Sequence, residues 1–227
     1  MLRWIMALVF FCIGWAVGAK PIICLDPGHP SEIGPGTRGK RITELEAVWL
    51  VAKELEPLLK KEGYTVVMTK KSMREKVTNK RRAEIANAAK ADLMLRLHCD
   101  HAPGESGFAT FFADRQGRDG KVTGPSKEVL QRVKPMASAF HRAWGEGLAG
   151  SLEDRGLRTE QKTAVGAKKG ALVGSIHSKV PSILVEMAVL NNDGDDRFMA
   201  SAAGRTKMAR ALLAGVKAAL AADPAKR

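Results

Sequence analysis

The sequence predicts an α/β fold with a mainly parallel sheet, and three observations carry that prediction. Short β-rich runs, "PIICLD", "YTVVMT", "DLMLRLH" and "SILVE", alternate with longer amphipathic stretches. No repeat or low-complexity block interrupts the alternation. A chain of 227 residues with 45% apolar content is enough for one well-filled core, and two domains would be a squeeze. A single domain over residues 20–227 is therefore expected.

Residues 1–19, "MLRWIMALVFFCIGWAVGA", place Arg3 before an apolar stretch that ends with Val17 and Ala19. This is the pattern of a secretory signal peptide cut after Ala19. The stretch falls slightly short of the about 20 apolar residues of a membrane span. An uncleaved anchor is the alternative, and after signal removal no membrane span is expected. The expected destination is the periplasm or cell envelope. Cys12 lacks the preceding small residues of a lipid-attachment site. Cys24 and Cys99 sit in or beside apolar strand-like runs and read as buried thiols, not as a disulfide framework.

The first strand stops at Asp26-Pro27-Gly28, and His29 follows at once. Pro27 fixes one backbone dihedral and Gly28 permits conformations other residues avoid, so the turn aims whatever comes next. A glycine-rich loop, "PSEIGPGTRGKR", leads to a helix whose start is marked by Thr43 and, three residues on, Glu46, a capping-box pair. Val48, Val51, Ala52, Leu55, Leu58 and Leu59 recur there at helical spacing. Pro57 should kink that helix or end its regular part. Gly63 closes the segment before "YTVVMT". A helix "NKRRAEIANAAKA" and the strands "DLMLRLH" and "GFATFF" come next. Residues 113–127 read as a polar loop. A helix then runs to about residue 149, bent at Pro135, and its Met136, Phe140 and Trp144 stripe reads as core packing. A basic connector with Arg155, Arg158, Lys162, Lys168 and Lys169 precedes "SILVE" and a last helical region.

The formal net charge of +13 implies a polyanionic partner. For an exported chain that means cell-wall polymer, lipopolysaccharide or a membrane surface. Nucleic acid is not expected, because the basic surface is poor in the aromatic side chains on which single strands stack.

In open parallel sheets, sites form outside the carboxyl ends of the strands. His29 follows the first strand, His98 ends "DLMLRLH" and Glu186 ends "SILVE". Each alone has an ordinary structural explanation. Together they put three metal-binding or proton-carrying groups on one edge. Glu44 lies in the first turn of the helix that Thr43 caps, where carboxylates are also favoured by the helix dipole. Two imidazoles and a carboxylate are a common shell for catalytic zinc, and a second, unbound carboxylate is the proton shuttle such a site needs. Glu46 competes with Glu44 for the ligand role but is occupied by capping.

These segments resemble the zinc-dependent N-acetylmuramoyl-L-alanine amidases, which cut bacterial peptidoglycan. The resemblance runs from about Pro21 to Leu220 and rests on "LDPGH", "TELEAVWLVAKEL", "ANAAKADLMLRLHCD" and "VPSILVEMAVLNN", in the family's order. It implies a twisted, mostly parallel sheet with helices on both faces. It also implies Zn2+ held by His29, Glu44 and His98, Glu186 as the catalytic carboxylate, and Asn192 as the Asn that follows it. Peptidoglycan is the implied partner, and the resemblance leaves room for a protein activator. The chain departs from the family at Pro30, where Gly is frequent, at Val48, where Asn is usual, and at Asp100-His101, where Asn is common. His101 is expected at the rim of the site, and His141 and His177 are expected to be structural. Two rivals stand beside this reading: another exported zinc hydrolase (a carboxypeptidase or deacetylase), and a non-catalytic basic wall-binding module.

Overall fold

A computed structural model describes residues 20–226. The expected signal peptide at 1–19 lies outside the described residues. Six strands form one sheet: β1 (Ile22–Pro27), β2 (Thr65–Met68), β3 (Leu93–Asp100), β4 (Phe108–Phe112), β7 (Asp154–Thr159) and β8 (Ser182–Val189). Their order is β2-β1-β3-β8-β4-β7. Every neighbouring pair is parallel except β4 with β8, which is antiparallel. The expected α/β architecture is present, with β4 and β7 reversed.

Side-chain alternation divides the sheet into two unlike faces. Ile23 and Leu25 of β1, Leu93, Leu95 and Leu97 of β3, and Ile183, Val185 and Met187 of β8 join the main core. Three helices cover this face: α1 (Glu44–Lys61), α3 (Lys127–Leu148) and α7 (Ala202–Ala221). Val51 and Leu55, Phe140 and Trp144, and Leu212 and Val216 are their buried contributions. On the other face, Cys24 and Met94 pack with Ala86 of α2 (Asn79–Ala88), and Leu184 with Ala109 and Phe111. Two short helices, α4 (Ala164–Lys169) and α5 (Val173–His177), lie in the segment between β7 and β8, and α5 packs beside α2. A further helix, α6 (Asp193–Ala200), follows β8.

The capping box is formed at the start of α1: Glu46 N donates to Thr43 Oγ1 at 3.2 Å, and Thr43 N donates to Glu46 Oε2 at 3.0 Å. Pro57 does not end that helix, which continues to Lys61. Pro57 is exposed, so the carbonyl that loses its partner faces water. Helix α3 likewise runs through Pro135. The expected loop at 113–127 contains a small hairpin, β5 (Gly117–Asp119) with β6 (Val122–Gly124). The basic connector contains the edge strand β7. Cys24 and Cys99 are buried and unbonded, as expected. Among the described residues, no helix is long and apolar enough to cross a membrane.

Candidate metal centre

The site is built upward from a buried charge. Asp26, next to last in β1, is fully buried between two guanidiniums. Arg82 Nη1 donates to its Oδ1 at 2.6 Å, Arg96 Nε donates to its Oδ2 at 3.1 Å, and Thr69 adds a hydroxyl donor. Burial opposes ionisation of Asp26, but the two arginines outweigh it and hold the carboxyl well below the usual range.

The same cations hold the turn that carries His29. Arg82 donates to the carbonyls of Pro27 at 2.7 Å and Pro30 at 3.2 Å. Lys70 Nζ donates to the carbonyls of Gly28 and His29. Four consecutive carbonyls are thus fixed by buried side chains. His29 itself adopts φ +49°, a left-handed conformation that a non-glycine residue keeps only when its surroundings impose it. The Asp-Pro-Gly turn aims His29 because the chain's own buried cations hold it from beneath.

His29 Nδ1 donates to Gly34 O at 3.0 Å, and its Nε2 faces Glu44 Oε1, 3.3 Å away. His98 Nδ1 lies 3.0 Å from the same oxygen. Glu44 is further fixed by Cys99 N on Oε1 at 3.1 Å and Thr37 N on Oε2 at 2.8 Å. Burial disfavours its charge, yet the hydrogen bonds with His29 and His98 keep its pKa well below the ordinary value. Burial lowers the pKa of His98, favouring the neutral imidazole that binds metals. For His29, hydrogen bonding to Glu44 overcomes burial and raises it.

Ligand atoms of His29, Glu44 and His98 all lie within 4.8 Å of one another, so the trio expected from the sequence is brought together. Two observations show that a cation fits. His98 Nε2 is buried without a partner. The cradle is also kept open by glycines: a Cβ at Gly28 would lie 2.5 Å from His98 Cε1, and one at Gly36 would lie 2.6 Å from Glu44 Oε2. The donor set itself, two imidazoles and one carboxylate, suits zinc.

Glu186 stands beside this trio and outside it. It pairs in register with His98 across β3 and β8, so both side chains rise from the same face of the sheet. Its Oε2 is buried without a partner. Burial and the nearby Glu44 and Asp100 carboxylates push its pKa well above the usual carboxylate range. His98 and Glu186 are not at their strand ends, since β3 runs on to Asp100 and β8 to Val189. The apolar "MAV" after Glu186 continues the strand into the core.

The remaining candidates have other work. Glu46 is used in capping, as expected. Asn192 caps α6, its Oδ1 accepting from Gly194 N and Asp195 N. Val48 is a core residue of α1. His101 is exposed and outside the metal-ligand trio, His141 lies between Thr110 and Asp154, and His177 is held by Asp119. Sequence reasoning missed Lys70, Arg82 and Arg96. The one available signal was a charged residue inside the apolar run "DLMLRLH".

A family model described as N-acetylmuramoyl-L-alanine amidase matches residues 23–218. The chain is 27% identical over 221 residues to the N-acetylmuramoyl-L-alanine amidase AmiA of Escherichia coli, covering 88% of this chain and 76% of that one. It is 27% identical to AmiC of Neisseria meningitidis, with 88% of this chain and 53% of the relative covered. The fold is that of a solved N-acetylmuramoyl-L-alanine amidase from Clostridium difficile 630, with a TM-score of 0.70 at 20% identity, covering 89% of this chain and 97% of that one. With most of its length, residues 23–218, matched by one family model, the chain belongs to the N-acetylmuramoyl-L-alanine amidase family.

Proposed function

We propose that the protein hydrolyses the amide bond between N-acetylmuramic acid and L-alanine in peptidoglycan, with His29, Glu44 and His98 as zinc ligands and Glu186 as general base. The observation that carries this reading is the register of Glu186 with His98, which sets a free carboxylate beside the ligand trio without adding it to the trio. Zinc bound there by His29, Glu44 and His98 would supply polarisation of the scissile carbonyl and a lowered pKa for the attacking water. Glu186 takes the proton of that water on its carboxylate and returns it to the departing amine nitrogen, which leaves poorly unprotonated. Thr37 and Cys99 hold the Glu44 carboxylate in place, and Arg82 and Lys70 keep the His29 turn in place.

Digestion of purified peptidoglycan tests the reaction. New L-alanine amino termini, produced by protein that contains zinc, are the expected result. Released carboxyl-terminal amino acids or acetate would point instead to a carboxypeptidase or deacetylase. Sedimentation with peptidoglycan and no new end groups would mark a binding module.

Export is part of the same proposal. It is supported by the composition of residues 1–19, and a mature amino terminus at Lys20 is the expected result of amino-terminal sequencing. The net charge of +13 supports electrostatic attachment to the wall. Binding to peptidoglycan should then weaken steeply as ionic strength rises, and binding indifferent to salt would reject the idea.

A further inference from the structure

Helix α6 opens with three acids, Asp193, Asp195 and Asp196, and the last two are buried. Those two turn to different parts of the molecule. Asp195 Oδ2 accepts from Val189 N at 2.8 Å and Gly107 N at 2.6 Å, so it ties the end of β8 to the start of β4. Asp196 is 1% exposed and faces the loop before α1. Its Oδ2 accepts from Arg41 N at 3.1 Å and Arg41 Nη1 at 2.9 Å, and its Oδ1 accepts from Ile42 N at 3.3 Å.

That loop is closed on Glu44. Thr37 N donates to Glu44 Oε2, and Glu44 N donates back to Thr37 O at 2.9 Å. Between them Arg38 bridges to Thr43 and Gly39 N donates to Ile42 O at 2.9 Å, which makes residues 37–44 one tight turn. One end of the turn holds the Glu44 carboxylate, the other end carries it, and the tip rests on Asp196. The fit at the tip is close: a Cβ on Gly39 would collide with Asp196 Oδ1.

The segment "IGPGTRG" that forms this loop is rich in glycine, and such a backbone loses more freedom on ordering than any other. Ile42 is buried in the core, but an apolar contact is non-directional and does not fix where the neighbouring amides point. Hydrogen bonds to a buried carboxylate do fix them, and they are of the stronger, charge-assisted kind. We propose that Asp196 is a positioning residue for the metal centre: it orients the turn whose Thr37 amide holds the Glu44 carboxylate for zinc. The inference rests on the reading of Glu44 as a zinc ligand.

Zinc titration of the full-length protein against a competing chelator tests it, with unfolding of the metal-free protein measured alongside. Hydrogen-bond partners behind a metal ligand carry about 10–100-fold in metal affinity, so Asp196→Ala should weaken zinc binding about tenfold. Gly39→Ala keeps the carboxylate and pushes the tip of the turn away from it. It should also weaken zinc binding, and it serves if Asp196→Ala does not fold. Asp195→Ala is the comparison, since it removes a buried acid from the same helix. It should lower stability and leave zinc affinity near that of the unaltered protein. Unchanged zinc affinity in Asp196→Ala, or in Gly39→Ala where the first does not fold, overturns the proposal. So does an equal loss of zinc affinity in Asp195→Ala, because zinc binding then reports general destabilisation. Failure of the ligand reading looks different: Glu44→Ala would bind zinc as tightly as the unaltered protein, and the proposal would fall with it.

Discussion

Strand β3 carries two different molecules on its two sides. Leu93, Leu95 and Leu97 face α1, α3 and α7 in a dry core, while Arg96 and His98 face a cavity and the ligand trio. On the first side, stability comes from apolar area removed from water and is spread over many residues. On the second, it comes from a few buried charges that must all be satisfied together. On the apolar face a change of shape costs packing, and on the polar face a change of charge leaves a buried partner unpaired.

The contrast is broken most directly at Glu186. Glu186→Gln keeps the shape of the side chain and removes its basicity, so turnover should fall about 10²–10⁴-fold while bound zinc stays. Glu44→Ala removes a ligand and should lower zinc content together with activity. Metal analysis and turnover measured on both proteins decide the assignment. Zinc lost from the first and kept by an active second would reverse the two roles.

A second pair compares the faces in free energy. Asp26→Asn leaves Arg82 and Arg96 without their carboxylate and should cost about 3–5 kcal/mol of folding stability. Leu95→Ala, on the other side, should cost about 2–5 kcal/mol through a cavity in the core. Denaturant unfolding would make the two look alike. Zinc titration separates them, because only Asp26→Asn loosens the turn that carries His29.

The smallest effect is in pH, and its sign differs within the site. Asp26 is held below its ordinary 3.8, so the folded state binds fewer protons than the unfolded one, and stability is lost as pH falls through that range. Glu186 is held above its ordinary 4.5, so the folded state binds more, and stability of the metal-free chain is lost as pH rises from there. Unfolding of the metal-free protein as a function of pH should show both slopes. Glu186→Gln should flatten the upper one alone.

Much of this was readable from the residues in order. The apolar run "DLMLRLH" pointed to His98, although β3 continues two residues beyond it, the Thr43–Glu46 pair located the start of α1, and the Asp-Pro-Gly turn marked His29. What stayed hidden depended on distant partners. Arg82 and Arg96 meet Asp26 across 56 and 70 residues, and nothing local to either arginine indicates that carboxylate. Strand β7, "DRGLRT", is an edge strand with no fully buried residue, so it lacks the apolar alternation that marks a strand. The reversal of β4 did have a signal. Only seven residues, 101–107, separate it from β3, too few for a parallel crossover.

Strand β8 is the last of the strands in sequence, yet it lies in the middle of the sheet, between β3 and β4. Until residues 182–189 exist, those two strands have open inner edges, and His98 has no Glu186 beside it. Such long-range pairing is slow, and open edges invite association with other chains while they last. The first 98 residues contain His29, Glu44 and His98, whereas Glu186 arrives only with β8.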